Sequence, residues 1–183
     1  AGGTVNLHNL TQITEPNSGD TRLRSVDLLA DGVGSTLDVA ALISFTDINA
    51  GSAAGLDRYS SLVPKNSGTI LADKLTTLVG VNIVLNGSGA MPISQIASMS
   101  GNSALTLSGV GSSFDFSGLT SAVTTIIGVT EATASFPLLT TLQNGSLSTT
   151  LGAMASVPQL SNIDGASLLV DSGVTLSLPS ATS

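Results

Sequence analysis

The stretch Ser135–Leu142, SFPLLTTL, returns at 156–163 as SVPQLSNI and at 177–183 as SLPSATS. One phrase coming back every twenty-one residues is the mark of a stacked repeat architecture, and self-similarity of this kind takes precedence over any local reading. Sliding the phrase back along the chain finds eight copies: TVNLHNLTQI (4–13), TLDVAALISF (36–45), TILADKLTTL (69–78), AMPISQIASM (90–99), SFDFSGLTSA (113–122), TASFPLLTTL (133–142), MASVPQLSNI (154–163) and TLSLPSATS (175–183). The template is x-Φ-x-Φ-x-x-Φ-T-x-Φ, with Φ apolar. Its seventh position reads Leu10, Leu42, Leu75, Ile96, Leu119, Leu139, Leu160 and Ala181, at spacings of 32, 33, 21, 23, 20, 21 and 21 residues.

A second apolar ladder lies about eight residues further on, at Ile83, Leu105, Ile127, Leu147 and Leu168. Counted back from the following phrase, it includes Leu29 and Leu62 in the two long copies. Between the ladders stand Gly101-Asn102, Asn144-Gly145 and Asp164-Gly165, residues that tolerate the left-handed backbone of a sharp corner. Gly87, Gly89, Gly109, Gly111 and Gly173 mark another corner.

TLDV and SFDF alternate apolar and polar, which is the pattern of a strand with one wet face. One short coil cannot pair its own backbone or bury its own apolar face; stacking equivalent coils does both. The chain is poor in Glu, Lys, Gln and Arg and rich in Val, Ile and Thr, which favours strands over helices. The expected fold is all-β: a parallel β-solenoid with coils of about 21–23 residues, stacked at roughly 4.8 Å into a rod of roughly 35–40 Å. The whole of 1–183 reads as a single domain and as a segment of a longer repeat protein. The alternative is a leucine-rich-repeat-like solenoid, L-x-x-L-x-L-x-x-N, but the Asn is not kept and no helical stretch fills the second half of the repeat.

The phrase Φ-x-Φ-P-x-L-T-x-Φ, through FPLLTTL, VPQLSNI and LPSATS, resembles the leucine-rich β-helix repeats of large bacterial secreted and surface proteins. That resemblance covers nearly the whole chain and implies a right-handed parallel β-helix in an extracellular or cell-surface setting. It brings no catalytic residues with it.

Composition limits the function classes. The net charge is −7 with only five basic residues, too few to neutralise nucleic-acid phosphates or to hold an anionic membrane. Cysteine is absent, so disulfides and thiolate metal sites are excluded. No run of 18 apolar residues suggests a transmembrane helix, and the opening AGGTVNLHNL does not read as a signal peptide. The lone histidine, His8, falls at a wet position of the first phrase. Enzymes built on parallel β-helices need clustered carboxylates and usually aromatics to hold sugar; Asp38 and Asp115 share a phrase position but lie coils apart. The reading is therefore non-catalytic and cofactor-free: a spacer, stalk or adhesive display scaffold. Ice binding by a threonine ladder (Thr11, Thr76, Thr120, Thr140, Thr182) is a weaker fit, because Ile43, Ala97 and Ser161 interrupt it.

The two long spacings each carry about eleven extra residues, placed as insertions over 14–27 and 46–61 and expected side by side on one edge. They hold all three arginines, Arg22, Arg24 and Arg58, and the only tyrosine, Tyr59. Arg and Tyr are the residue types enriched at binding hot spots, so these four are the candidate ligand-binding residues, for a carbohydrate or a surface protein. The competing reading is an edge cover held by its own salt bridges. Asp20, Asp47 and Asp57 are the candidate oxygen ligands for a calcium ion there. The chain reaches its last phrase without a polar cap, which suggests end-to-end self-association.

Overall fold

The computed structural model describes residues 2–16, 18–20, 23–48, 58–171 and 173–181. The chain winds as a parallel β-solenoid. The first coil contributes β1 (Thr4–Asn6), β2 (Gln12–Glu15) and β3 (Asp27–Asp31); the second β4 (Thr36–Asp38), β5 (Ser44–Asp47) and β6 (Ser60–Lys65); the third β7 (Thr69–Leu71), β8 (Thr77–Val79) and β9 (Val81–Leu85). The fourth adds β10 (Ser98–Ser100) and β11 (Ala104–Ser108), and the fifth β12 (Ser113–Asp115), β13 (Ser121–Val123) and β14 (Ile126–Thr130). The sixth adds β15 (Thr133–Ser135), β16 (Thr141–Gln143) and β17 (Ser146–Thr150), the seventh β18 (Met154–Ser156) and β19 (Ser167–Val170).

These strands stack into three faces. The second face is the sheet β2-β5-β8-β10-β13-β16, and the third is β3-β6-β9-β11-β14-β17-β19. The first face is split into β1-β4-β7 and β12-β15-β18. Every paired strand runs parallel to its neighbour, and no helix occurs among the described residues. The helix-containing leucine-rich-repeat alternative is thereby set aside. Seven rungs in the longest sheet span about 29 Å between outer strands at a spacing of ~4.8 Å.

The recurring phrase turns out to hold a corner between two strands. In each copy the amide of the seventh position donates to the carbonyl three residues back: Leu10 to Leu7, Leu42 to Val39, Leu75 to Ala72, Ile96 to Ile93, Leu119 to Phe116, Leu139 to Phe136, Leu160 to Val157 and Ala181 to Leu178. This is a β-turn whose second residue favours proline, and Pro137, Pro158 and Pro179 occupy that place. Both turn ends point inward: Val39, Ala72, Phe116, Phe136 and Val157 are buried, as are Leu42, Leu75, Ile96, Leu119, Leu139 and Leu160. Phrase and turn are thus one device, closing the corner and supplying two core ladders.

Pro92 explains the split first face. Ala90 bridges to Thr69, which sets Pro92 beside Leu71 in the rung. A proline there removes the amide that the next ladder bond needs, and the sheet restarts at β12. The fourth coil has no first-face strand among its described residues.

The second ladder stacks in register from Leu62 through Ile83, Leu105, Ile127 and Leu147 to Leu168. Its first member is Leu28, not Leu29. Leu28 pairs with Leu62 and is 6% exposed, whereas Leu29 is 48% exposed. Counting back by a fixed offset misses by one residue, and one residue inverts a strand's faces.

One position in the neighbouring ladder is chemically out of place. Leu107, Val129, Thr149 and Val170 stack in successive rungs. The Thr149 hydroxyl is buried without a hydrogen-bond partner. A buried, unpaired hydroxyl costs about 1–3 kcal/mol, and valine has nearly the same shape. Thr149→Val should therefore stabilise the rod by about 1 kcal/mol, read as a higher urea midpoint with an unchanged slope.

Candidate functional site

Coils three to six turn from the second face to the third within one to three residues. Gly80 alone separates β8 from β9, and Gly101–Ser103 separate β10 from β11. Left-handed residues make this possible: Gly80 (φ 66°), Asn102 (64°), Thr124 (52°) and Asn144 (52°). They stack, since Thr124 donates its amide to Gln143 and Asn144 donates to Asp164 in the coil above. In coils one and two the same corner is replaced by the insertions, between Glu15 and Asp27 and between Asp47 and Ser60. They are shorter than the spacing suggests, because Thr14, Glu15, Thr46, Asp47, Asp27, Ser60 and Ser61 belong to strands.

Arg24 ties the first insertion together. Its Nε donates to the Glu15 carboxylate, Nη1 to the carbonyls of Ser18 (2.8 Å) and Asp20 (3.4 Å), and Nη2 to that of Pro16. The hydrogen bond to Glu15 raises the guanidinium pKa further above its ordinary value. A planar fork serving one carboxylate and three carbonyls is something lysine cannot reproduce. Arg24→Lys and Arg24→Ala should both make 16–26 cleavable at lower protease concentration in limited proteolysis, while the main melting transition moves little.

The two insertions are bonded to each other's coils. Arg58 Nη2 lies 3.2 Å from Asp27 Oδ2, Ser61 Oγ donates to Asp27 Oδ1 at 2.8 Å, and the Val26 amide donates to Ser60 Oγ at 2.9 Å. Asp47 is buried and accepts from the amide and hydroxyl of Ser60 at 3.0 and 2.7 Å. Asp20 is exposed, and its backbone carbonyl is one of those held by Arg24. Of the proposed site residues, Arg24 and Arg58 thus act in ion pairs, and Asp47 caps the start of β6. Arg22 and Asp57 lie outside the described residues. No group of three metal-ligating side chains converges among the described residues. His8 is exposed, with Asn6 Oδ1 accepting from its backbone amide at 3.1 Å.

Tyr59 stands apart from this network. It lines a groove of about 490 Å³ that runs along the rod beside the short corners. One wall is the left-handed row Asn102, Thr124 and Asn144; the floor is the outward row Asn82, Ala104, Ile126 and Ser146, which are successive rung partners. Asn82 Oδ1 accepts from the Ala104 amide at 2.9 Å. The step from long corners to short ones makes the groove, and Tyr59, the last residue of the second insertion before β6, stands at that step. The insertion spacing and the lone tyrosine pointed to this edge. In the sequence the asparagines carry the mark of turn formers; their recurrence at the same corner, Asn102 and then Asn144, is the available signal.

No protein-family model, curated protein or solved structure matches the chain.

Proposed function

We propose that the chain is a non-catalytic, extracellular or cell-surface repeat scaffold that spaces and displays an adhesive edge. The observation supporting this most is the division of labour along the rod. Three ladder-packed faces, the first interrupted at Pro92, provide a regular support, and the long insertions collect at one corner of two adjacent coils. Loops held on a rigid support are where recognition commonly resides. The acidic, cysteine-free, Lys-poor composition fits an exterior setting, and low charge on a β-rich rod suits a spacer. Among the described residues no helix is long and apolar enough to cross a membrane.

The experiment is to couple the purified chain to beads and pass them over cell surfaces and immobilised polysaccharides, following both bead retention and polysaccharide viscosity. Retention with unchanged viscosity is the expected result. A falling viscosity, or release of reducing ends, would replace the scaffold by a polysaccharide-active enzyme; no retention would remove the adhesive role. Self-association is a second, separate proposal, since strands of a stacked rod can pair with those of a second copy. Sedimentation velocity at rising concentration tests it.

A further inference from the structure

We infer that the groove lined by Tyr59, Asn82, Asn102, Thr124, Ile126 and Asn144 is a binding site for a neutral glycan lying along the rod axis. The inference rests on the adhesive reading above and names its site and ligand class.

Four features point to this ligand. First, no charged side chain lines the groove, and the chain carries a net charge of −7, so a polyanion is repelled and a cation finds no countercharge. Second, the polar groups are carboxamides and hydroxyls. The side chains of Asn102 and Asn144 and the Tyr59 hydroxyl have no hydrogen-bond partner among the described residues, and each both donates and accepts, as sugar hydroxyls do. Third, apolar surface is set among them: Ile126 is 59% exposed on the floor and Tyr59 37% exposed at the end. A pyranose ring offers an apolar C–H face together with a hydroxyl edge, and this alternation matches both. Fourth, the groups repeat with the rungs. From Asn82 to Ser146 the floor crosses three rung steps, about 14 Å at ~4.8 Å per rung, so the groove suits an extended, repeating ligand better than a compact one.

The corner is also built to expose these amides. Asn102 and Asn144 hold positive φ, where asparagine is tolerated among non-glycine residues. A Cβ on Gly165 would lie 2.3 Å from Asn144 Oδ1, so glycine leaves the room that this amide occupies.

Affinity electrophoresis tests the inference. The acidic chain is run through native gels containing laminarin, dextran or galactomannan, with polygalacturonate as the anionic control. Three variants accompany it: Tyr59→Ala, the double change Asn102→Gly with Asn144→Gly, and Ile126→Arg. Glycine keeps the left-handed backbone while removing the amide, and Ile126→Arg puts bulk and charge on an exposed floor position without touching the core. Circular dichroism melting verifies that all three remain folded. The expected result is retardation in at least one neutral gel, none in polygalacturonate, and a retardation constant at least about tenfold weaker in each variant. Equal retardation of the variants would overturn the groove while leaving the adhesive reading in place. Retardation in polygalacturonate alone would overturn the ligand class. No retardation in the neutral gels with bead retention intact would overturn the inference only; loss of both would end the adhesive reading as well.

Discussion

Leu139→Asp should leave the chain unfolded or insoluble, whereas Thr140→Ser, one residue further on, should melt with the wild type. Leu139 is fully buried in the ladder Leu119, Leu139 and Leu160. Truncating such a leucine alone costs about 2–5 kcal/mol. The aspartate adds the cost of a carboxyl with no partner, which protonation relieves only in part. The sum approaches the 5–15 kcal/mol that holds a typical domain together. A stacked array spreads the damage, because the side chain is a contact for the coil above and the coil below. Thr140 is exposed and donates its hydroxyl to the Thr120 carbonyl at 3.2 Å, a bond serine can make, so its change should stay within about 0.5 kcal/mol. Solubility, circular dichroism and urea midpoints of the pair check this. Equal behaviour of the two variants would mean that the strand faces are assigned the wrong way round.

Phe116→Ala should destabilise by about 3–5 kcal/mol, the second large effect. Phe116 and Phe136 are both fully buried and stack across adjacent rungs with ring centroids 5.5 Å apart and planes at 18°. Such a pair contributes about 0.5–1.5 kcal/mol beyond its buried area. Alanine forfeits the stack and opens a hole beside Phe136. The same inward turn position holds Val39, Ala72 and Val157 in other coils, so the backbone accepts smaller residues there, and the loss arises mainly from the hole left beside Phe136 and in smaller part from the lost stack. Phe116→Leu should recover most of the stability. A double-mutant cycle with Phe136→Leu measures the coupling; a coupling near zero would show that the stacking contributes nothing.

The other end of the same turn shows why so much of the fold could be read from the sequence. A solenoid rung repeats its inward side chains at one spacing, so Leu42, Leu75, Leu119, Leu139 and Leu160 declare the ladder without any long-range inference. The insertions were legible for the same reason, as two spacings of 32 and 33 residues in a count that otherwise runs at 20–23. The second face was not. Strands of three residues such as Ser121–Val123 and Thr141–Gln143 are too short to show alternation, and the phrase read as one strand when it is a turn between two. The break at Pro92 was visible as a proline but gained meaning only from its rung partners. The groove was least legible. Asn82, Asn102 and Asn144 come from three different coils, and each has an adequate local reason as a turn or strand residue. Only their stacking makes a row of amides, and only the change in corner length gives that row a wall and an end.

Distances between spin labels on the second face test the solenoid most directly. The chain has no cysteine, so pairs can be introduced without background. Ser44 and Thr141 occupy equivalent places in β5 and β16 through the register Ser44, Thr77, Ser98, Ser121 and Thr141, and Gln12 precedes Ser44 in the same row. Labels at Ser44 and Thr141 should lie about 19 Å apart and labels at Gln12 and Thr141 about 24 Å, one rung more at ~4.8 Å per rung. Double electron–electron resonance measures both. Narrow distributions differing by one rung are the predicted result. Distances that do not grow by a rung when the label moves from Ser44 to Gln12, or broad distributions centred well beyond 30 Å, would contradict the parallel stack.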